Sequence, residues 1–158
     1  MTARIIQLSR SAGGVPKLPV DEAEITAAGM AGDSQNDRLH HGGPERALCL
    51  YSADLIDALV REGHPVTPGA LGENVTIRGL DWSTVLPGCE LLLGDVHVAV
   101  TRFTVPCTKI RDAFSDKDFT RISAQLHPGW SRVYVRVLRE GRLHVGDPVS
   151  LVRPSIAD

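Results

Sequence analysis

The sequence contains little of what marks several large classes of protein. It has only three cysteines, Cys49, Cys89 and Cys107, and such an odd, widely spaced set does not build a disulfide framework. Aromatic residues make up 4% of the chain, too few for a surface that stacks single-stranded nucleic acid. The formal net charge is -2 without a long run of one sign, so no nucleic-acid or membrane surface is expected.

Long apolar runs are also missing. No stretch approaches the length of a transmembrane helix, and the first residues lack the apolar core of a signal peptide. We therefore expect a cytoplasmic protein with neither a membrane nor a nucleic-acid partner. The 158 residues fit one domain of ordinary size and contain no linker-like segment, so residues 1–158 are predicted to form a single domain.

Glycine and proline, by contrast, are plentiful, with 15 and 10 residues spread along the chain, which is typical of a turn-rich β protein. An amphipathic run at 54–62, with Ser52 as N-cap and Gly63 as stop, predicts a helix. The chain is therefore predicted to form a mainly-β barrel with a few short helices. Strands are predicted at 3–8, 23–26, 46–51, 74–78, 91–93, 96–100, 133–137 and 143–152, and further short helices at 109–114 and 117–126.

Two corners of the sequence resemble each other, Gly94-Asp95 and Gly146-Asp147. The similarity spans only a hairpin corner, so the chain is not a repeat protein. It indicates equivalent strand entries in one closed or nearly closed sheet.

Cys107 is the most informative residue for function. It follows a strand-like run and Pro106, and Lys109 and Arg111 place positive charge close behind it. A thiol near cations ionises more readily, which suits a metal ligand or a nucleophile. A small apolar residue packed at a strand end is the alternative, and the flanking residues alone do not choose between them.

A long polar stretch at 29–45 has no apolar periodicity, which is typical of a functional loop. Asp33, His40, His41 and Arg46 could bring a proton donor and an anion-binding arginine to one site. The alternative is a solvated turn whose histidines form local hydrogen bonds. The Lys-Ser/Thr ending of a phosphate-binding P-loop is absent.

Smaller motifs follow. In Gly72-Glu73-Asn74, the carboxylate and amide could bind a polar heterocycle or cap the preceding loop. Trp130 could line a pocket or close the end of the barrel. Core or structural roles are predicted for Trp82, Cys49 and Cys89.

Taken in order, these elements resemble the MOSC family, named after the C-terminal domain of molybdenum cofactor sulfurase. The similarity covers nearly the whole chain and is greatest to stand-alone bacterial members, which resemble the catalytic part of the mitochondrial amidoxime-reducing component. It rests on Gly32-Asp33-x-Gln35, His41-Gly42-Gly43-Pro44-Glu45-Arg46-Ala47, Tyr51-Ser52, Gly72-Glu73-Asn74, Gly94-Asp95, Thr104-Val105-Pro106-Cys107, Gly129-Trp130 and Val145-Gly146-Asp147.

The resemblance implies a β-barrel that carries a molybdenum–molybdopterin cofactor, with Cys107 as the molybdenum ligand. The pterin region would lie near Tyr51, Ser52 and Asn74 and the backbone around Pro106. Larger relatives hold the pterin phosphate with an additional N-terminal region. Here we expect phosphate binding within these residues or by a partner chain, with Arg46, Lys109 and Arg111 as candidates by charge.

The implied activity is reduction of small N-hydroxylated compounds to amines or amidines, with release of water. Asp33, His40 and His41 are candidate proton sources. No motif for a further redox cofactor is visible, so a separate electron-donating reductase is implied. Two alternatives stay open: a sulfur carrier that uses a Cys107 persulfide, and a barrel that binds a ligand without catalysis. The oligomeric state is left open.

Overall fold

The structure, a computed structural model, describes residues 2–33 and 43–155. In these residues the chain forms eleven strands, one α-helix and several short 3-10 helices. The strands are β1 (Ala3–Arg10), β2 (Leu18–Val20), β3 (Glu22–Thr26), β4 (Gly29–Met30), β5 (Leu48–Ser52), β6 (Val75–Arg78), β7 (Glu90–Leu93), β8 (Val96–Phe103), β9 (Val133–Arg139), β10 (Gly141–His144) and β11 (Pro148–Arg153). The helix α1 covers Ala53–Arg61, and 3-10 helices cover Pro44–Arg46, Trp82–Thr84, Thr108–Ala113 and Phe119–Ile122.

Seven of the strands form a closed barrel. Their order is β11-β7-β8-β9-β5-β6-β1, and β1 pairs back with β11. β2 extends the sheet beside β1, while β10, β3 and β4 form a separate three-stranded sheet. The predicted mainly-β barrel with short helices is therefore confirmed.

The two Gly-Asp corners lie next to each other where β7 meets β11. Gly94 N donates to Pro148 O at 2.8 Å, and Leu93 pairs with Val149. A Cβ atom at Gly94 would lie 2.7 Å from Asp147 Oδ2, so this close approach requires glycine. The sequence similarity of the corners thus reflects neighbouring positions in the closed sheet.

The helix α1 connects β5 to β6, which run parallel and therefore need a crossover. Ser52 Oγ accepts the Leu55 N–H at 3.2 Å as the N-cap, and Gly63, with φ of 99°, follows the end of the helix. Ile56 and Leu59 bury its apolar face against the barrel core. The predicted cap and stop are both observed.

Some boundaries differ from the prediction. Pro44–Arg46 form a 3-10 turn, so the strand predicted at 46–51 begins at Leu48. The strand predicted at 143–152 is two strands, because a turn closes at Asp147, whose side chain accepts the His144 N–H at 2.8 Å. The helix predicted at 117–126 shortens to Phe119–Ile122.

None of the helices in the described ranges is long and apolar enough to cross a membrane.

Candidate functional site

Cys107 lies where the chain leaves the barrel after β8. Thr104 N donates to Arg132 O at 2.9 Å, which continues the pairing of β8 with the approach to β9. Ser131 Oγ also donates to Thr104 O, at 3.2 Å. Beyond this anchor the chain turns outward, and Val105 is 78% exposed. Cys107 therefore lies three residues from a firmly paired position, at the start of the 3-10 helix Thr108–Ala113.

The three cysteines differ in exposure. Cys49 and Cys89 are buried, and burial raises the pKa of both thiols, so they remain neutral. Cys107 is partly exposed, and its side chain does not cap the following helix. This exposure does not fit the alternative of a packed core residue. Cys49 has the core position that the sequence predicts.

β5 and β9 present a polar face beside this segment. Cys49 pairs directly with Tyr134, and because side chains alternate along a strand, Tyr51 lies on the same face as Cys49. Tyr51 Oη donates to Trp130 O at 2.7 Å. Burial raises the pKa of both phenols, so they are protonated and neutral.

Arg132 is a buried cation next to this face. Its Nη1 donates to Leu71 O at 2.6 Å, while its Nε is buried and has no hydrogen-bond partner in the described chain. The guanidinium lies close enough to Cys49, Tyr51 and Glu73 to favour their ionised forms, although burial dominates in each case.

Glu73 is fully buried, and burial raises the pKa of its carboxyl. Its Oε2 accepts the Thr76 hydroxyl at 3.2 Å. Its Oε1 has no hydrogen bond of normal geometry, although the backbone amides of Gly69 and of Glu73 itself favour its ionised form. These contacts fit the loop-capping alternative for this motif.

Asp33 lies in a buried ion pair rather than on an open loop. Its Oδ2 is 2.6 Å from Lys17 Nζ, and the two side chains are only 6% and 5% exposed. Asn74 Nδ2 donates to the same oxygen at 3.0 Å, and Ser11 N donates to Oδ1 at 2.9 Å. These three donors together occupy both oxygens of the carboxylate. The proton-source role of Asp33 stays a prediction, and it would require these bonds to rearrange.

Asn74 and Ser52 have structural partners in this state. Asn74 Oδ1 accepts the Cys49 N–H at 3.1 Å, and its Nδ2 also donates to Ser9 O at 3.2 Å. Ser52 caps α1. The predicted role of Tyr51, Ser52 and Asn74 in cofactor binding is untested by these contacts.

The candidate anion-binding cations lie in two places. Arg46 lies over Tyr134, with its Cζ 5.9 Å from the ring centroid. Lys109 and Arg111 are exposed on the helix that follows Cys107. Burial is the main cause of the raised pKa of Tyr134, and a smaller electrostatic contribution from Cys107 adds to it. His40 and His41 lie outside the described residues.

Trp130 packs against an arginine that is paired with a glutamate. The Arg121 guanidinium lies 3.9 Å from the ring centroid and donates to both carboxylate oxygens of Glu62, at 2.9 and 2.7 Å. These hydrogen bonds lower the pKa of Glu62. Trp130 is thus partly buried on the segment that leads to Arg132, and its pocket-lining role stays a prediction. Trp82 is buried, as predicted, and donates to Ser131 O at 2.7 Å.

Sequence reasoning missed two residues, Lys17 and Arg132. Each lies in a short irregular segment where a cation is usually solvated, and nothing in the sequence distinguishes them from exposed cations. For Arg132, the alternation that continues into β9 places it on the same face as Tyr134. That alternation was the one available signal.

Within the described residues, no group of three or more histidine, cysteine, aspartate or glutamate side chains could hold a metal ion. A metal at Cys107 would therefore have to bring most of its own ligands.

Comparison with known proteins gives a consistent result. A profile of the MOSC domain matches residues 37–150. The uncharacterized protein YflK of Bacillus subtilis (strain 168) is 33% identical over 144 residues, which cover 88% of this chain and 63% of YflK. The protein YiiM of Escherichia coli (strain K12) is 30% identical over 144 residues, which cover 87% of this chain and 63% of YiiM. The chain thus spans less than two thirds of the length of both relatives.

The fold is also similar to a solved relative. The crystal structure of YiiM from Geobacillus stearothermophilus superposes with a TM-score of 0.75 at 27% identity, covering 95% of this chain and 75% of that chain.

Proposed function

Because the chain belongs to the MOSC domain family, which is associated with the molybdenum cofactor, we propose that it is a molybdenum-dependent oxidoreductase with Cys107 as metal ligand. Its reaction would be the reduction of N-hydroxylated compounds to amines. The observation that carries this proposal is the partial exposure of Cys107 next to a firmly paired strand end, while the other two cysteines are buried. A thiolate there can reach a bound group without unfolding the barrel.

The residues present fit this cofactor. A molybdenum ion held by a dithiolene needs few protein ligands, which agrees with a single accessible thiol and no multidentate cluster in the described residues. The buried Nε of Arg132 has an unused hydrogen-bond donor, which suits an anionic or carbonyl-bearing group. When bound, the cofactor would supply the two electrons of the reduction.

The protein's own tasks would be to hold the cofactor and to donate protons to the substrate. Thr104 and Pro106 fix the approach to Cys107. Lys109 and Arg111 offer positive charge on the helix that follows it, and Arg46 offers a further cation over Tyr134. Converting an N–OH group to N–H with release of water consumes two electrons and two protons. His40 and His41 are the proposed proton sources, along with Asp33 if its ion pair opens. A separate reductase would deliver the electrons.

The test is metal analysis of protein produced in a host that makes molybdopterin. We expect molybdenum in the natural protein and in Cys89→Ser, and loss of both metal and hydroxylamine reduction in Cys107→Ser. Cys89 is the matched control, because it is a buried thiol whereas Cys107 is partly exposed. Absence of molybdenum from the natural protein, together with unchanged turnover in Cys107→Ser, would refute the proposal.

The exposed Lys109 beside a partly exposed thiol also suits a sulfur carrier, in which Cys107 holds a persulfide. Mass spectrometry of protein isolated without reductant separates the two functions. An added, reducible sulfur on the Cys107 peptide and no molybdenum would favour the carrier.

A further inference from the structure

A chain of buried polar contacts runs from the loop before β2 to the segment that carries Cys107. It begins at Lys17, whose ammonium group lies 2.6 Å from Asp33 in a nearly dry environment. Burying two charges is expensive, and an apolar pair of the same size is often as stable. The stability of the fold therefore does not by itself explain why Lys17 and Asp33 form a buried ion pair.

Asn74 is the second step. Its Nδ2 donates to Asp33 Oδ2 at 3.0 Å, and its Oδ1 accepts the Cys49 N–H at 3.1 Å. Asn74 is fully buried, so water does not compete for these bonds. The amide thus fixes the distance between Asp33 and β5.

Cys49 and Thr104 are the third step. Cys49 Sγ lies 3.8 Å from Thr104 Oγ1, within hydrogen-bond distance for sulfur, and both residues are buried. Thr104 is the last residue of this region paired to the β9 side, through Arg132 O. Its position therefore sets where residues 105–107 leave the barrel.

We propose that Lys17 and Asp33 are positioning residues for Cys107, acting through Asn74, Cys49 and Thr104. The contacts join segments far apart in sequence. Asp33 accepts hydrogen bonds from both Lys17 and Asn74, Asn74 accepts the Cys49 N–H, and the Cys49 thiol lies beside the Thr104 hydroxyl. The inference holds for either sulfur chemistry of Cys107, because it concerns where the thiol is held. It gives Asp33 a role that uses the hydrogen bonds its carboxylate accepts in the structure.

The test measures the rate at which iodoacetamide alkylates Cys107 in the full chain, at one pH and without added metal. Peptide mass spectrometry assigns the reaction to Cys107. We expect Lys17→Met and Asp33→Asn to raise the rate about threefold or more, because a less constrained segment exposes the thiol more often. Lys17→Arg keeps the cation, so its Cys107 alkylation rate should be closer to that of the natural protein than the rate in Lys17→Met.

Two control variants separate positioning from general loss of stability. Leu91→Ala removes core packing on β7, and Arg78→Met breaks the Arg78–Asp57 ion pair at 2.7 Å; neither residue belongs to the polar chain. Both should leave the alkylation rate near that of the natural protein. If Leu91→Ala raises the rate as much as Lys17→Met at equal loss of melting temperature, the proposal is wrong.

A double-mutant cycle tests the continuity of the chain. In a Thr104→Val background, where the last link is already broken, Lys17→Met should change the Cys107 rate less than it does alone. Additive effects of the two substitutions would overturn the proposal, and so would an unchanged rate in folded Lys17→Met. Molybdenum content does not enter these readouts, so their outcome is independent of the proposed reductase activity.

Discussion

Two ion pairs of similar length have opposite surroundings. Lys17 and Asp33 are 2.6 Å apart with side chains 5% and 6% exposed. Arg121 and Glu62 are 2.7 Å apart, but their side chains are 21% and 39% exposed. Distance alone would rank the two pairs as equal.

The two pairs differ in whether water can hydrate one charge when its partner is lost. If one partner of the exposed pair is lost, solvent hydrates the other, so such a pair contributes little. If one partner of the buried pair is lost, a charge is left in a dry site. In the exposed pair, Arg121 also lies over the Trp130 ring. In the buried pair, Asp33 also accepts a hydrogen bond from Asn74. The following predictions test that contrast.

The largest effect is expected for Asp33→Asn. It leaves the Lys17 ammonium buried without a counter-charge, so the free energy of unfolding should fall by about 3–5 kcal/mol. Urea denaturation measures this, with Glu62→Gln as the matched control on the exposed pair. A loss no larger than that of the control would mean that Lys17 escapes to solvent.

Replacing both partners should partly restore stability. In Lys17→Met/Asp33→Leu no charge is buried, so the double variant should be more stable than the sum of the single losses by roughly 1–3 kcal/mol. The same denaturation series provides the comparison. Strict additivity would show that the two side chains do not interact energetically.

Two carboxylates should respond to pH in opposite directions. Burial raises the pKa of Glu73, so its contribution to stability is fully present below about pH 4, its unfolded value, and is lost as pH rises through the folded value. Hydrogen bonds from Arg121 lower the pKa of Glu62, so its contribution is present above about pH 4 and is lost as pH falls through the folded value.

The natural protein should lose stability as the pH rises above about 4, the unfolded value of Glu73, and Glu73→Gln should abolish that loss. One proton limits the slope to about 1.4 kcal/mol per pH unit. Unfolding free energies at several pH values test this, with Glu62→Gln flattening only the acid side. A steeper decline with pH in Glu73→Gln than in the natural protein would contradict the assignment.

The smallest effect is expected for Arg121→Met. It removes an exposed ion pair and a cation–π contact, together worth about 1 kcal/mol. Since the pair is exposed, 1 M NaCl should reduce the difference between variant and natural protein, while the effect of Asp33→Asn should persist. Tryptophan fluorescence would report the change at Trp130. A loss as large as that of Asp33→Asn would remove the distinction between the two pairs.

The fold could largely be predicted because its signals are local. Alternating residues mark β8 and β9, and Ser52 and Gly63 bound α1. The two-residue strand β4 could not be found, because two residues have no periodicity. The strand predicted across 145–147 was wrong because the turn there depends on side-chain and backbone contacts of Asp147, which interrupt an otherwise suitable apolar pattern.

The site could be predicted only in part. The functional role of Cys107 rests on the family resemblance, because its flanking residues alone do not choose between function and packing, and it stays a prediction. Lys17 and Arg132 were missed because burial of a cation depends on segments distant in sequence, such as Leu71 and Asp33. The ion pair of Asp33 with Lys17 was missed for the same reason.

Closure of the barrel by β1 and β11 also constrains how the protein is made. β2 pairs with the end of β1 soon after both are synthesised, but the start of β1 pairs with β11, and Ala3 and Val149 lie at nearly opposite ends of the described chain. On the ribosome, the edge of β1 at Ala3 and Arg4 stays unpaired until the last strand emerges. A nascent chain stalled before Pro148 would bury much of its core but would lack β11, the strand that closes the barrel.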